Sequence, residues 1–457
     1  MSHPFHQSVL FGLRFLPCSK TGLFVCASLL VFRCGPTYQL PATRPYIPPG
    51  DPFSLLIASD TPYPWYSLGG PAPCRSLEPS DPDACVTRYA KSTNRAQLLA
   101  MSKIGRLTWP VDRVLQGGGN PVATAAGLVV NGDITAFGRE WQYRDLLALT
   151  NGETNQIATN VAADSTPARP VLAQNFGVFL GLGNHDVMVC DCREGLNDFN
   201  SCARNSYDKI RSLYSNVPWI AYDKCSKAYA FDIGDFRFIQ LHIDPNFSAD
   251  LGYWDNWDTC QSAPHRYDPE ERLRNDYDCD HNWGVFKPDL WLEQQLAEAD
   301  TLKKWSVLMF HAANQETSKD ASGVVSYRYW SPERLKRFQT LVNKHGVILI
   351  FAGHLHSRRG VQNNDPLGKL YNVQNDPVKV ILSGASEYNT FLVAEFGRTP
   401  PIGNNAPGNY VNVGVVSSAA AESGGDPRFL VDDPGAVNQS PVFSRLYARL
   451  TKRSAAQ

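Results

Sequence analysis

Five stretches of the chain bring metal-ligating side chains to the ends of apolar runs. Asp60 ends LLIASD, Asp133 ends LVVNGD, Asn184, His185 and Asp186 end FLGLGNHD, His311 ends VLMFH, and His354 and His356 end ILIFAGHLH. Carboxylates, an amide oxygen and imidazoles are the donors that suit borderline divalent ions such as Zn, Mn and Fe. A carboxylate set between two strand ends can bridge two cations about 3.5–4 Å apart, an arrangement that clamps a phosphoryl group and generates hydroxide near neutral pH. The chemistry implied is hydrolysis. Taken singly, each residue reads otherwise: a lone histidine after an apolar run is more often a packed side chain, and a lone Gly-Asp is usually a turn. Their joint occurrence carries the metal reading.

His242, in FIQLHIDP, also follows an apolar run and competes with His311. His311 is preferred because its strand is the last before the GHLH strand, with one expected helix between them. Glu387 and Asn389, near SGASEYN, are weaker site candidates. Other catalytic patterns fail. Gly181-x-Gly183 lacks the third glycine of a dinucleotide loop, Gly117-Gly118-Gly119 has no following Lys-Ser/Thr, and no G-x-S-x-G elbow is present.

Residues of this kind need a rigid edge to hold them. Short apolar runs that read as buried strands alternate with helical patterns, which argues an α/β fold. Strands are expected at 53–59, 127–131, 178–182, 305–310, 347–352, 378–382 and 391–396, with a hairpin pairing 229–233 to 236–243 across Gly234-Asp235. Helices are expected at 95–107, 139–149, 203–214, 290–299 and 333–344, the last opening at Ser331-Pro332 with a cap and a first-turn proline. In open α/β sheets ligands bind at the carboxyl ends of the strands, where the polar residues above fall.

The stretches NGD (131–133), GNHD (183–186), FHAAN (310–314) and GHLH (353–356) occur in the order of a known pattern, D-x-H, G-D, G-N-H-[DE], H, G-H-x-H. At these residues, over positions 50 to 397, the sequence resembles the calcineurin-like metallophosphoesterases. The resemblance implies a four-layer α/β/β/α sandwich with two mixed central sheets and loop insertions. It also implies a dinuclear centre that hydrolyses a phosphate ester. Carried over by position, Asp133 bridges the ions, Asp60 and His356 hold the first, and Asn184, His311 and His354 hold the second. His185 falls on the general acid or phosphate contact, and Asp186 is expected to hold its ring through the second nitrogen. The opening motif departs from the pattern: it reads Asp60-Thr61-Pro62, so Pro62 stands where the family has a histidine ligand. A divergent secreted branch with an ASD-P-Q-YPW start is similar here. The first ion is thereby left one ligand short.

The chain has 457 residues, with 43 Lys+Arg against 44 Asp+Glu, so no global charge drives it toward nucleic acid or an anionic membrane. A hydrophobic content of 43% excludes intrinsic disorder. Residues 1–36 read as a signal peptide or N-terminal anchor around the uncharged run Thr21–Phe32, and 37–52 as a Pro-rich connector. The catalytic domain is expected over 53–398, with insertions near 69–88 and 249–283, and 399–457 as a low-complexity tail with a short basic helix near 444–452. Of the eleven cysteines, Cys74, Cys85, Cys190, Cys192, Cys202, Cys225, Cys260 and Cys279 lie beyond the leader, an even number that reads as disulfides. The expectation is a secreted or extracytoplasmic hydrolase with two divalent ions (Mn, Fe or Zn), acting on a small-molecule or lipid-headgroup phosphate ester. The alternative is a metal-binding but catalytically impaired interaction module using the aromatic insertion.

Overall fold

The computed structural model of the chain describes residues 47, 50–61, 82–111, 117–135, 177–187, 220–223, 225–245, 249–250, 284–285, 288–313, 317–319, 325–327, 330–354, 379–383, 385–386, 389–398, 409–421, 423–430 and 443–444. All lie in one unit, Tyr38–Gln457. The strands are β1 (Phe53–Ala58), β2 (Ala125–Asn131), β3 (Gly177–Gly181), β4 (Ala221–Tyr222), β5 (Tyr229–Ile233), β6 (Phe236–Gln240), β7 (Ala249–Asp250), β8 (Gly284–Val285) and β9 (Trp305–Met309). They continue with β10 (Thr317–Lys319), β11 (Val325–Tyr327), β12 (Leu349–Ala352), β13 (Lys379–Leu382), β14 (Thr390–Arg398), β15 (Asn409–Ser417), β16 (Arg428–Phe429) and β17 (Phe443–Ser444). The α-helices are α1 (Pro82–Ser102), α2 (Asn184–Val187), α3 (Asp289–Thr301) and α4 (Pro332–Lys344).

Two mixed sheets form the frame. The first runs β16-β15-β14-β1-β2-β3, with β17 on β15, and the second β13-β12-β9-β6-β5-β4. Within them β1, β2 and β3 are mutually parallel, as are β6, β9, β12 and β13. Parallel strands buried on both faces must be apolar throughout, and LLIA in β1 and LVV in β2 are. The expected strands match these parallel elements to within two residues at either end, except that β6 stops at Gln240, three residues short of the expected end, and the hairpin turns at Gly234, whose φ of 55° is readily reached by glycine.

The sheets face each other across an aromatic layer. Phe53 of β1 meets Phe236 and Phe238 of β6, Phe396 of β14 meets the same pair, and Phe179 of β3 stacks on Phe231 of β5 with ring centroids 3.8 Å apart. Alternation along a strand sends the intervening residues to the opposite face, toward the helices. Arg237, between Phe236 and Phe238, reaches the Gln295 carbonyl and Glu298 of α3. Beneath α4, Phe338 packs on Phe310 and Trp330. On the first sheet, Gln97 of α1 donates to the Thr390 carbonyl, and Glu395 accepts from the Trp109 indole. The order is therefore helix, sheet, sheet, helix.

Three expectations change. Helix α1 begins at Pro82, inside the stretch expected as the first insertion, where the fixed φ of proline suits a first turn. It ends at Ser102 and gives way to a 3-10 turn over Ile104–Arg106. The domain does not end at 398. Strand β15 pairs with β14 along nine residues and buries Val411, Val413, Val415 and Val416, so 409–417 belongs to the core of the first sheet. Short polar residues between its valines hide that strand from a composition reading. The expected helices at 139–149 and 203–214, the leader, most of both insertions and positions 445–457 lie outside the described residues. Among the described residues no helix is long and apolar enough to cross a membrane.

Candidate metal centre

Each expected ligand among the described residues sits just past the carboxyl end of a parallel strand. Asp60 follows β1, Asp133 follows β2, Asn184 follows β3, His311 follows β9 and His354 follows β12. Asp60, Asp133 and His354 take left-handed φ values of 48°, 50° and 73°. Side chains other than glycine hold that conformation at a cost, and it persists where surrounding structure enforces it. The loops touch closely: a Cβ on Gly183 would lie 2.1 Å from Asp133 Oδ1, and one on Gly353 would lie 2.6 Å from Ser59 Cβ. Only glycine lets these backbones approach.

Four donor atoms converge on one point. The fully buried His311 places Nε2 3.1 Å from Asp133 Oδ2, 3.0 Å from Asn184 Oδ1 and 3.3 Å from His354 Nδ1. The ligand atoms of Asp133, His311 and His354 all lie within 4.8 Å of one another. The other ring nitrogen of His311 is 2.8 Å from the Asn131 carbonyl, so in the neutral ring Nδ1 carries the hydrogen and Nε2 offers a lone pair. In that neutral state two oxygens and two nitrogens turn lone pairs toward one another. Asp133 Oδ2 is buried, and among the described residues its contact is His311 Nε2. A divalent cation held by Asp133, Asn184, His311 and His354 would meet the mixed N and O set that zinc, manganese and iron accept. The electrostatics agree. Burial alone would push His311 down, but the Asp133 carboxylate, with Asp60 and the Asn131 carbonyl, reverses this and holds it up at about 9. Burial would raise Asp133, yet His311 and His185 keep it well below the usual carboxylate range. The pocket favours positive charge.

The neighbouring residues lock these ligands. The His185 amide donates to Asp133 Oδ1 at 2.9 Å. Asp186 accepts from the amides of Gly183, Ile134 and Thr135 and from the Thr135 hydroxyl, at 2.8–3.1 Å. Its carboxylate therefore ties the loop after β2 to the loop after β3. Burial and the Asp133 charge raise it to about 6, against the pull of those donors. Asn131 donates to the Ser383 hydroxyl, which donates to the Ala352 carbonyl, joining the two sheets beneath the centre.

His242, the rival to His311, is structural. Its Nδ1 accepts from the Leu182 amide at 3.2 Å and its Nε2 donates to the Lys227 carbonyl at 2.6 Å, which fixes a neutral tautomer. Burial pushes it down to about 4. Asn389 is a turn residue, with φ 54° and its carbonyl accepting from Ser418. Pro62, His356 and Glu387 lie outside the described residues. Sequence reasoning passed over Thr135, Ser383 and Ser386, whose signal was only that they follow the GD and strand-end motifs closely.

The family model of the calcineurin-like phosphoesterases matches residues 112–358, more than half of the chain. No curated protein matches. A solved structure titled "GAP50 the anchor in the inner membrane complex of Plasmodium" is similar at 12% identity, with 81% of this chain and 86% of that chain covered and a TM-score of 0.34. With its two mixed sheets, its helices and the donors gathered at their strand ends, the chain belongs to the calcineurin-like phosphoesterases.

Proposed function

We propose that the protein hydrolyses a phosphate ester with a divalent cation held by Asp133, Asn184, His311 and His354. The single observation that carries this reading is the gathering of those four buried or half-buried donors around His311 Nε2 at 3.0–3.3 Å. Bound there, the cation supplies Lewis acidity, bringing the pKa of water toward neutrality and stabilising charge on phosphoryl oxygens. The protein does the rest. Asp133 and His311 set the charge of the pocket, and Asp186 with Thr135 keeps the ligand loops in place. His185 stands at the start of α2, beside Asn184 and tied to Asp133 through its backbone, where its ring serves the ester's leaving oxygen or holds the phosphate. By the family pattern a second cation would share Asp133 and draw on Asp60 and His356.

We further place the protein outside the cytoplasm. Cys225 is disulfide-bonded, which supports an oxidising compartment for the cysteines beyond the apolar leader. Hydrolysis of aryl phosphate mono- and diesters by protein stripped with chelator and reloaded with Mn tests the catalytic reading. Turnover that appears with Mn and falls by on the order of 10²-fold in His185→Asn is expected. Binding of the ion without turnover on any ester would instead favour an interaction module.

A further inference from the structure

We propose that Asp60 is a positioning residue whose carboxylate clasps the backbone of His354, so that the protein concentrates metal binding on one four-donor centre in place of a matched pair. This rests on the hydrolase reading above, because it concerns how that site is built. Both carboxylate oxygens of Asp60 lie 3.0 Å from the His354 amide nitrogen, and the Ser59 hydroxyl donates to one of them. The Asp60 backbone is held as firmly. Its amide donates to the Gly132 carbonyl at 3.1 Å, its carbonyl accepts from the Ser386 amide and hydroxyl, both at 3.3 Å, and Ser59 bridges to Ala385. One buried residue thereby joins the loops after β1, β2, β12 and β13, three of which carry expected metal ligands.

The clasp has a geometric purpose. His354 sits at φ 73°, and only that turn brings its Nδ1 to 3.3 Å from His311 Nε2. A carboxylate accepting from the amide holds the turn in place, as outer partners of metal ligands commonly do. Among the described residues, the donors lying within 4.8 Å of one another are Asp133, His311 and His354. Two residues after Asp60, Pro62 has no side-chain donor at the position where the family pattern has a histidine. A second cation beside Asp133 would therefore have to draw on a carboxylate already accepting an amide and a hydroxyl. It binds far more weakly than the first.

The test uses full-length protein stripped with chelator, reloaded with Mn2+ and desalted, as wild type, Asp60→Asn and Asp60→Gly. Asparagine keeps an oxygen for the His354 amide and tolerates the left-handed backbone, whereas glycine accepts that backbone but removes the clasp. Ions per chain are counted by mass spectrometry, and electron paramagnetic resonance distinguishes an isolated Mn2+ from a coupled pair. Wild type is expected to keep close to one uncoupled ion; Asp60→Asn should hold it within about threefold of wild-type affinity and Asp60→Gly about 10–100-fold more weakly. A coupled pair in wild type that loses one ion in Asp60→Asn would make Asp60 a ligand and overturn the proposal. Wild-type affinity in Asp60→Gly would overturn it too. A wild type that binds no ion overturns this inference and the hydrolase reading together. Tight binding that follows the expected order of variants, without turnover on any ester, supports the clasp and counts against the hydrolase reading alone.

Discussion

At the scale of residues, proton transfer, ligation and loop support fall on different side chains, and substitution should separate them. In Asp133→Asn a neutral amide replaces the buried carboxylate that sets the charge beside His311, so the ion is expected to be lost along with activity. Metal analysis of the purified variant checks this, and a full complement of metal would contradict the role given to Asp133. Asp186→Asn should act on stability. Its two oxygens receive four hydrogen bonds, and an amide group turned toward those donors leaves buried N–H groups without acceptors. A loss of roughly 2–3 kcal/mol in urea unfolding is expected. An unfolding midpoint like that of wild type would mean the loops are tied by something else. Asp133, His311 and His354, the donors that lie together, were legible in the sequence because each follows an apolar run and the motifs occur in order. The supporting hydroxyls of Thr135, Ser383 and Ser386 were not, since serine and threonine near a strand end are common and acquire meaning only when two loops meet.

At the scale of elements, what the sequence reveals is set by periodicity. The parallel strands are continuous apolar runs with polar ends, and α4 shows its Ser331 cap, whose hydroxyl accepts from the Arg334 amide. Strand β15, NYVNVGVVS, interleaves its valines with Asn, Gly and Ser and lies among Pro- and Gly-rich segments, so it reads as tail. Its partner decides the matter: β14 lies between β1 and β15 and cannot remain a sheet interior without it. Truncation after Arg398 should therefore leave an insoluble or unfolded chain, in contrast to removal of a true tail. Soluble truncated protein with a wild-type circular dichroism spectrum and melting temperature would refute the placement of β15 in the core. Within the aromatic layer, Phe396→Ala removes contacts to Phe53, Phe236 and Phe238 and should cost about 3–5 kcal/mol, measured by denaturant unfolding.

For the folded unit as a whole, the two sheets meet their ligand-bearing ends at one edge, and its stability should depend on pH through a residue that is not a ligand. His242 is held neutral in the folded state, down at about 4 from an ordinary 6.5, chiefly by burial. The unfolded chain binds a proton below 6.5 that the folded chain refuses. Stability from this residue is thus complete above pH 6.5 and is lost as pH falls toward 4, by on the order of 3 kcal/mol. In His242→Asn that part of the slope should vanish; an unchanged slope in unfolding free energy between pH 6.5 and 4 would assign it elsewhere. The central claim, that both sheets exist here to hold a cation over their strand ends, is tested most directly by anomalous diffraction from crystals grown with Mn2+. The account predicts a strong peak about 2.0–2.2 Å from each of Asp133 Oδ2, Asn184 Oδ1, His311 Nε2 and His354 Nδ1. An ordered site with those four side chains in place and no peak between them would contradict it.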